Sequence, residues 1–171
     1  MQDTIFAPIT IRGKSAVCVV RISGNEVLNI LKKLSIKREL SHRMATLCKI
    51  KDLEGNFLDE ALVVYFKAPN SFTGEDVCEI SLHSSKYIVN KLFEILSKME
   101  NTRFAEPGEF SKRAFLNGKL DLMQAEAIID LIDSETELQH KQAMKQLTGD
   151  LSSFYKDLRV SIVEVLSIIE A

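Results

Sequence analysis

Three charged residues stand where local structure gives no reason for a charge. Arg21 falls in the apolar run Ala16–Ser23, on the face that alternation assigns to Val17 and Val19. Glu79 poses the same problem in the run Val77–His83. A charge on a covered strand must be paired or must line a cavity. Two readings are open. Arg21 and Glu79 can form an ion pair, each satisfying the other. Alternatively, they mark a pocket with opposite charges on neighbouring elements, where the carboxylate accepts two parallel hydrogen bonds from a planar amino-heterocycle, such as a pterin or guanine edge. Lys119 is the third. It sits between a helix stop, Asn117-Gly118, and a helix start at Asp121. A cation just ahead of a helix N-terminus opposes the helix dipole, so local stability does not ask for it. Arg21 and Lys119 together suit an anionic carboxylate tail.

Other chemistries find little support. His83 has no histidine or cysteine nearby at metal-ligand spacing, so a hydrogen-bonded structural role is expected and no metal site is assigned. Cys18, Cys48 and Cys78 lie far apart in apolar, strand-like runs, which predicts buried reduced thiols. The Gly-Lys pairs Gly13-Lys14 and Gly118-Lys119 lack the full phosphate-loop pattern; Gly13-Lys14-Ser15 has no upstream glycine. No Ser–His–Asp set or carboxylate pair supports a catalytic assignment. The loop Thr73–Asp76 reads equally as a ligand-facing loop or a plain turn.

The elements that must position these residues are legible from periodicity. Strands are predicted at Thr4–Ile9, Ala16–Ser23, Met44–Ile50, Leu58–Phe66 and Val77–His83. The second is apolar on both faces, so it is expected to be central and covered on both. Val27, Leu28, Ile30, Leu31 and Leu34 recur at helical spacing, as do Ile88, Leu92, Ile95, Leu96 and Met99. Ser84-Ser85 is expected to cap the second of these helices. Lys32, Lys33, Lys37, Arg38 and Arg43 read as a solvated helix end and loop, with an RNA contact as the alternative.

From Glu106 onward the punctuation is dense. Pro107 suits a first helical position and Gly118 a left-handed stop. Asp121 with Gln124 makes a capping box. Ser134 and Glu137 make another, which places a helix start after Ser134. A seam through Met144, Leu147, Leu151, Phe154, Leu158, Ile162, Val165 and Ile169 has bundle spacing, with Gly149 inside it. The pattern runs to Ala171 without a cap, so a fragment of a longer helical protein is expected. The elements together predict a mixed α/β or α+β region over residues 1–118, a sheet with packed helices, and an all-α region over residues 119–171.

Of 171 residues, 46% are hydrophobic and 27% charged, with net charge −2, which gives no global attraction to nucleic acid or acidic membranes. No basic-then-apolar leader and no bilayer-length apolar run is present in the sequence.

Several blocks carry a resemblance. Asp3-Thr4-Ile5, Val20-Arg21-Ile22-Ser23-Gly24, Pro69–Asp76 and Pro107–Asp130 are similar to the N-terminal part of the MnmE (TrmE) family of tRNA-modification GTPases. The resemblance covers essentially the whole chain. It implies a folate-binding, dimerising domain over residues 1–118, like the folate-binding domains of aminomethyltransferases. The beginning of a helical domain, residues 119–171, follows. The family's Ras-like G domain, with its GTP, Mg and K, and its C-terminal part are expected to lie outside this chain. The resemblance implies cytoplasmic homodimers that work on tRNA with an FAD-dependent partner, MnmG (GidA). Together they modify C5 of the wobble uridine with a one-carbon unit from 5-formyl- or 5,10-methylene-tetrahydrofolate. The family's folate contacts fall on Arg21, Glu79 and Lys119. This chain departs from the family at Ile9–Ser15 and at His83-Ser84-Ser85, so a module that dimerises but has lost folate binding is the alternative.

Overall fold

The computed structural model describes residues 3–10, 15–36 and 40–170. The loop residues Arg12, Gly13 and Lys14, and the basic residues Lys37 and Arg38, lie outside the described residues. Contacts divide the chain into two units, Met1–Arg113 and Ala114–Ala171.

The first unit is built on a mixed six-stranded sheet. Its strands are β1 (Thr4–Pro8), β2 (Val17–Ser23), β3 (Ala45–Lys51), β4 (Phe57–Phe66), β5 (Val77–His83) and β6 (Thr102–Phe104). The spatial order is β3-β4-β5-β2-β1-β6. Neighbours are antiparallel except β1 and β6, which run parallel. β6 is too short to show a period of two and was not expected. Helices α1 (Val27–Lys33) and α2 (Lys86–Ser97) contribute Val27, Ile30 and Leu31, and Leu92, Ile95 and Leu96, to one core cluster with Cys18, Val20, Ile22, Ile80 and Leu82 of the sheet. Each such side chain contributes about 1.5–3 kcal/mol on burial. Ser85 occupies the N-cap of α2 as expected, but its hydroxyl makes no capping bond.

β2 is interior to the sheet, yet it is not covered on both faces. Both helices pack against the face of Cys18, Val20 and Ile22. On the other face Val17 is 47% exposed and Val19 half-buried. The register continues that open face across the sheet: Leu47 stands opposite Leu62, Leu62 opposite Ser81, and Ser81 opposite Val19. Leu47 and Leu62 are exposed too.

The turn before α3 (Glu109–Leu116) differs from expectation. Pro107 does not open the helix. The Glu109 N–H donates to the Glu106 carbonyl at 3.0 Å with Gly108 at φ 72°. Proline followed by a left-handed glycine is the pattern of a type II turn, so α3 starts two residues later.

In the second unit, Gly118 is left-handed, with φ 67°. Asp121 caps α4 (Leu122–Ile132) and Gln124 closes the capping box from N3. The next box is displaced from Ser134 and Glu137. The Ser134 hydroxyl instead donates to the Leu131 carbonyl at 2.8 Å, at the end of α4. Thr136 and Gln139 form the box, and α5 runs Glu137–Leu147. Gly149 does not sit inside a helix: at φ 89° it ends one and begins α6 (Asp150–Ile169). The Gln124 amide donates to the Leu147 carbonyl at 3.0 Å, satisfying an end carbonyl of α5. Phe154, Leu158, Ile162, Val165 and Ile169 on α6 are exposed. Among the described residues no helix is long and apolar enough to cross a membrane.

Candidate functional site

Pairing of β2 with β5 puts Arg21 directly opposite Glu79 on the open face of the sheet. Opposed residues in an antiparallel pair are close enough for their side chains to meet. Here Arg21 Nε and Nη2 both donate to Glu79 Oε1, at 2.9 and 2.7 Å. The pair is neither dry nor fully solvated: the side chains are 19% and 24% exposed. Among the described residues Glu79 Oε2 accepts no hydrogen bond, so the carboxylate has an oxygen to offer.

Two aromatic rings cover the guanidinium. Arg21 Cζ lies 4.9 Å from the centroid of Phe72 and 5.5 Å from that of Phe110, both within cation–π range. Phe72 comes from the β4–β5 loop and Phe110 from the first turn of α3. Neither ring was singled out in the sequence. The signal was there in part: Phe72 is an aromatic residue between Ser71 and Thr73 in an otherwise polar loop.

The segments carrying those rings are anchored by a buried polar cluster. Arg113, 2% exposed, donates from Nη1 to both carboxylate oxygens of Glu75 at 3.1 Å. Its Nη2 donates to Glu109 Oε1 at 3.0 Å. Arg103 donates to both oxygens of Glu109 at 2.8 Å, and from Nε to Asp3 at 3.2 Å. The Glu106 N–H also donates to Glu109, at 2.8 Å. These donors, Arg103 foremost, hold the Glu109 carboxyl down to about 2. The Ser23 hydroxyl donates to Glu75 at 2.6 Å and shares a hydrogen bond with the buried Thr73 hydroxyl at 2.7 Å. At the far end of the loop, Asp76 accepts from the Tyr65 hydroxyl and the Ala68 N–H, each at 2.9 Å. Burial, then this bond to Asp76, pushes the Tyr65 hydroxyl up to about 12.

Of the residues singled out in the sequence, Arg21 and Glu79 are therefore brought together. Lys119 lies in the second unit, exposed, with its N–H donating to the Ala114 carbonyl at 2.8 Å. His83 has the structural role expected of it: its Nδ1 lies 2.8 Å from buried Asp59, which also accepts the His83 N–H. Cys18, Cys48 and Cys78 are buried cysteines outside any disulfide, and burial pushes the Cys78 thiol up. No group of three metal-ligating side chains occurs among the described residues.

Comparison with known proteins gives a consistent result. Residues 4–119 match the family model described as "GTP-binding protein TrmE N-terminus". Residues 122–171 match that of the "MnmE helical domain". The chain is 50% identical over 170 residues to the tRNA modification GTPase MnmE of Wolbachia sp. subsp. Drosophila simulans, 99% of this chain. It is 48% identical over 169 residues to that of Anaplasma marginale, again 99% of this chain. It is 46% identical over 172 residues to that of Aquifex aeolicus, 100% of this chain. In each case it spans 38% of the relative's length. A mixed sheet with packed helices, followed by helices alone, is the architecture over which both family models match, and the chain belongs to the MnmE (TrmE) family of tRNA modification GTPases.

Proposed function

We propose that residues 1–118 form a domain that binds a reduced folate, 5-formyl- or 5,10-methylene-tetrahydrofolate, through Arg21, Glu79 and Lys119. Residues 119–171 then form the beginning of the helical domain. The observation that carries the reading is the half-buried Arg21–Glu79 pair with Glu79 Oε2 unclaimed among the described residues, beside the faces of Phe72 and Phe110. An acceptor next to flat apolar faces fits an amino-heterocycle such as a pterin. Glu79 accepts from the amino edge of the ring. Arg21 pairs with Glu79 and orients it, and Arg21 and Lys119 meet carbonyl or carboxylate oxygens of the ligand. When bound, the folate supplies a one-carbon unit. The contribution of these residues is to hold and orient it.

In the whole protein, this domain serves the modification of C5 of the wobble uridine of tRNA. GTP, with Mg and K, is bound by a G domain elsewhere in the protein, and the redox chemistry belongs to the FAD-dependent partner MnmG (GidA). The protein works in the cytoplasm as a homodimer. The apolar row Leu47–Leu62 and Val17 on the open sheet face supports an interface there.

A second reading has its own observation. Both Arg21 donors converge on one Glu79 oxygen, as in a pair that only neutralises itself. On that reading the domain dimerises and recruits the partner without folate. Calorimetric titration of Glu79→Gln with 5-formyltetrahydrofolate, alongside thermal melts, separates the two. Folate binding weakened about tenfold, equal to 1.4 kcal/mol, with the fold intact supports the ligand site. Unchanged affinity with a large loss of melting temperature leaves only the ion pair.

A further inference from the structure

Arg21 sits under two rings that come from different segments, and one buried cation, Arg113, reaches both segments. Phe72 is fixed from either side. The Ser71 hydroxyl donates to the Glu75 carbonyl, and the Thr73 hydroxyl is bonded to Ser23. The Glu75 carboxylate that closes this loop receives Ser23 and Arg113. On α3, Glu109 precedes Phe110 and is held by the other arm of Arg113. One turn of helix separates Glu109 from Arg113, which puts them on one face and leaves Phe110 on the adjoining face, toward Arg21. Among the described residues Arg113 Nε has no hydrogen-bond partner, so the two Nη ends carry the contacts to Glu75 and Glu109.

We propose that Arg113 and Glu75 are positioning residues: a clamp that joins the β4–β5 loop to α3 and so sets Phe72 and Phe110 over Arg21. Neither residue touches the ligand. Their effect on ligand affinity rests on the folate reading above; the setting of the rings does not. A planar guanidinium suits this role because its two Nη ends hold two carboxylates at a fixed spacing, a geometry that a lysine ammonium, whose donors all leave one nitrogen, does not reproduce.

The test uses the Arg21 side-chain N–H resonance, identified by its loss in Arg21→Lys. Phenyl faces shift such a proton upfield, so the resonance reports the rings without any ligand. Phe72→Leu, which removes one ring directly, calibrates the shift. Glu75→Gln and Arg113→Lys are then compared with wild type by this resonance, by thermal melt and by calorimetric titration with 5-formyltetrahydrofolate. Expected is movement of the resonance in the direction seen for Phe72→Leu, with folate affinity lowered about three- to tenfold in protein that remains folded. Should Arg113→Lys fail to fold, Glu75→Gln carries the test, since it keeps the size of the side chain and only removes the charge. An unmoved resonance in folded Glu75→Gln overturns the clamp. A moved resonance with unchanged folate affinity overturns its role in ligand positioning. If wild type binds no folate, the folate reading fails, and the resonance still decides the clamp.

Discussion

Replacing Glu109 with glutamine should cost this protein stability in a way that depends on pH. Glu109 is 8% exposed and accepts from Arg103, Arg113 and the Glu106 N–H. Lowering its carboxyl from 4.5 to about 2 corresponds to roughly 3 kcal/mol at neutral pH, at about 1.4 kcal/mol for each tenfold. Arg103 is 42% exposed, and screening there lowers the figure to about 2–3 kcal/mol. For a chain of this size that is a drop of roughly 6–10 °C in melting temperature. Because the folded carboxyl titrates below the unfolded one, its stabilisation is complete above about 4.5 and is lost as the pH falls toward about 2. Urea unfolding of wild type and Glu109→Gln at a series of pH values from neutral downward is the assay. The gap between them should be full at neutral pH and should narrow steadily through the acid range. A gap that stays constant with pH would mean that lost packing, not the charge, is responsible. No gap at neutral pH would refute the reasoning outright.

Gly24→Ala should be among the most damaging glycine changes. Gly24 has φ +135°, and an added Cβ would stand 2.6 Å from Thr4 Oγ1 and 2.7 Å from Thr4 Cα, so a loss of about 2–4 kcal/mol is expected in denaturant unfolding. Gly55→Ala, left-handed but in open space, should cost only about 1–2 kcal/mol in the same experiment. The chain itself carries no phosphate loop and no Asn/Thr-Lys-x-Asp guanine-reading motif. A fluorescent GTP analogue should therefore show no saturable binding to residues 1–171. The exposed apolar residues of α6 and of the open sheet face predict self-association. Sedimentation equilibrium at high micromolar concentration should give a dimer or larger, and a monomer throughout would contradict it.

What the sequence made legible was periodicity and local chemistry. β2, β4 and β5 fall on the branched and apolar runs that mark them, and Asp121 with Gln124 caps α4 as the spacing demands. Competition between equally good local signals was harder to read. Ser134 and Thr136 both fit a capping box, and the Leu131 carbonyl draws the Ser134 hydroxyl away. Pro107 fits a first helical turn and a type II turn alike, and the glycine after it decides. Coverage of β2 was not a local property at all, because it depends on α1 and α2 choosing the same face. At the site, charges in apolar strands drew attention to Arg21 and Glu79, and only the β2–β5 register makes them partners. The rings over Arg21 and the Glu75–Arg113–Glu109 cluster join residues distant in sequence, for which periodicity carries no signal.

The central claim is that this domain holds a reduced folate at Arg21 and Glu79, and calorimetric titration of the wild-type protein with 5-formyltetrahydrofolate tests it most directly. The account predicts saturable binding of one folate per chain, with the Arg21 side-chain N–H resonance moving as the site fills. Absence of binding, or binding that leaves that resonance in place, would contradict it.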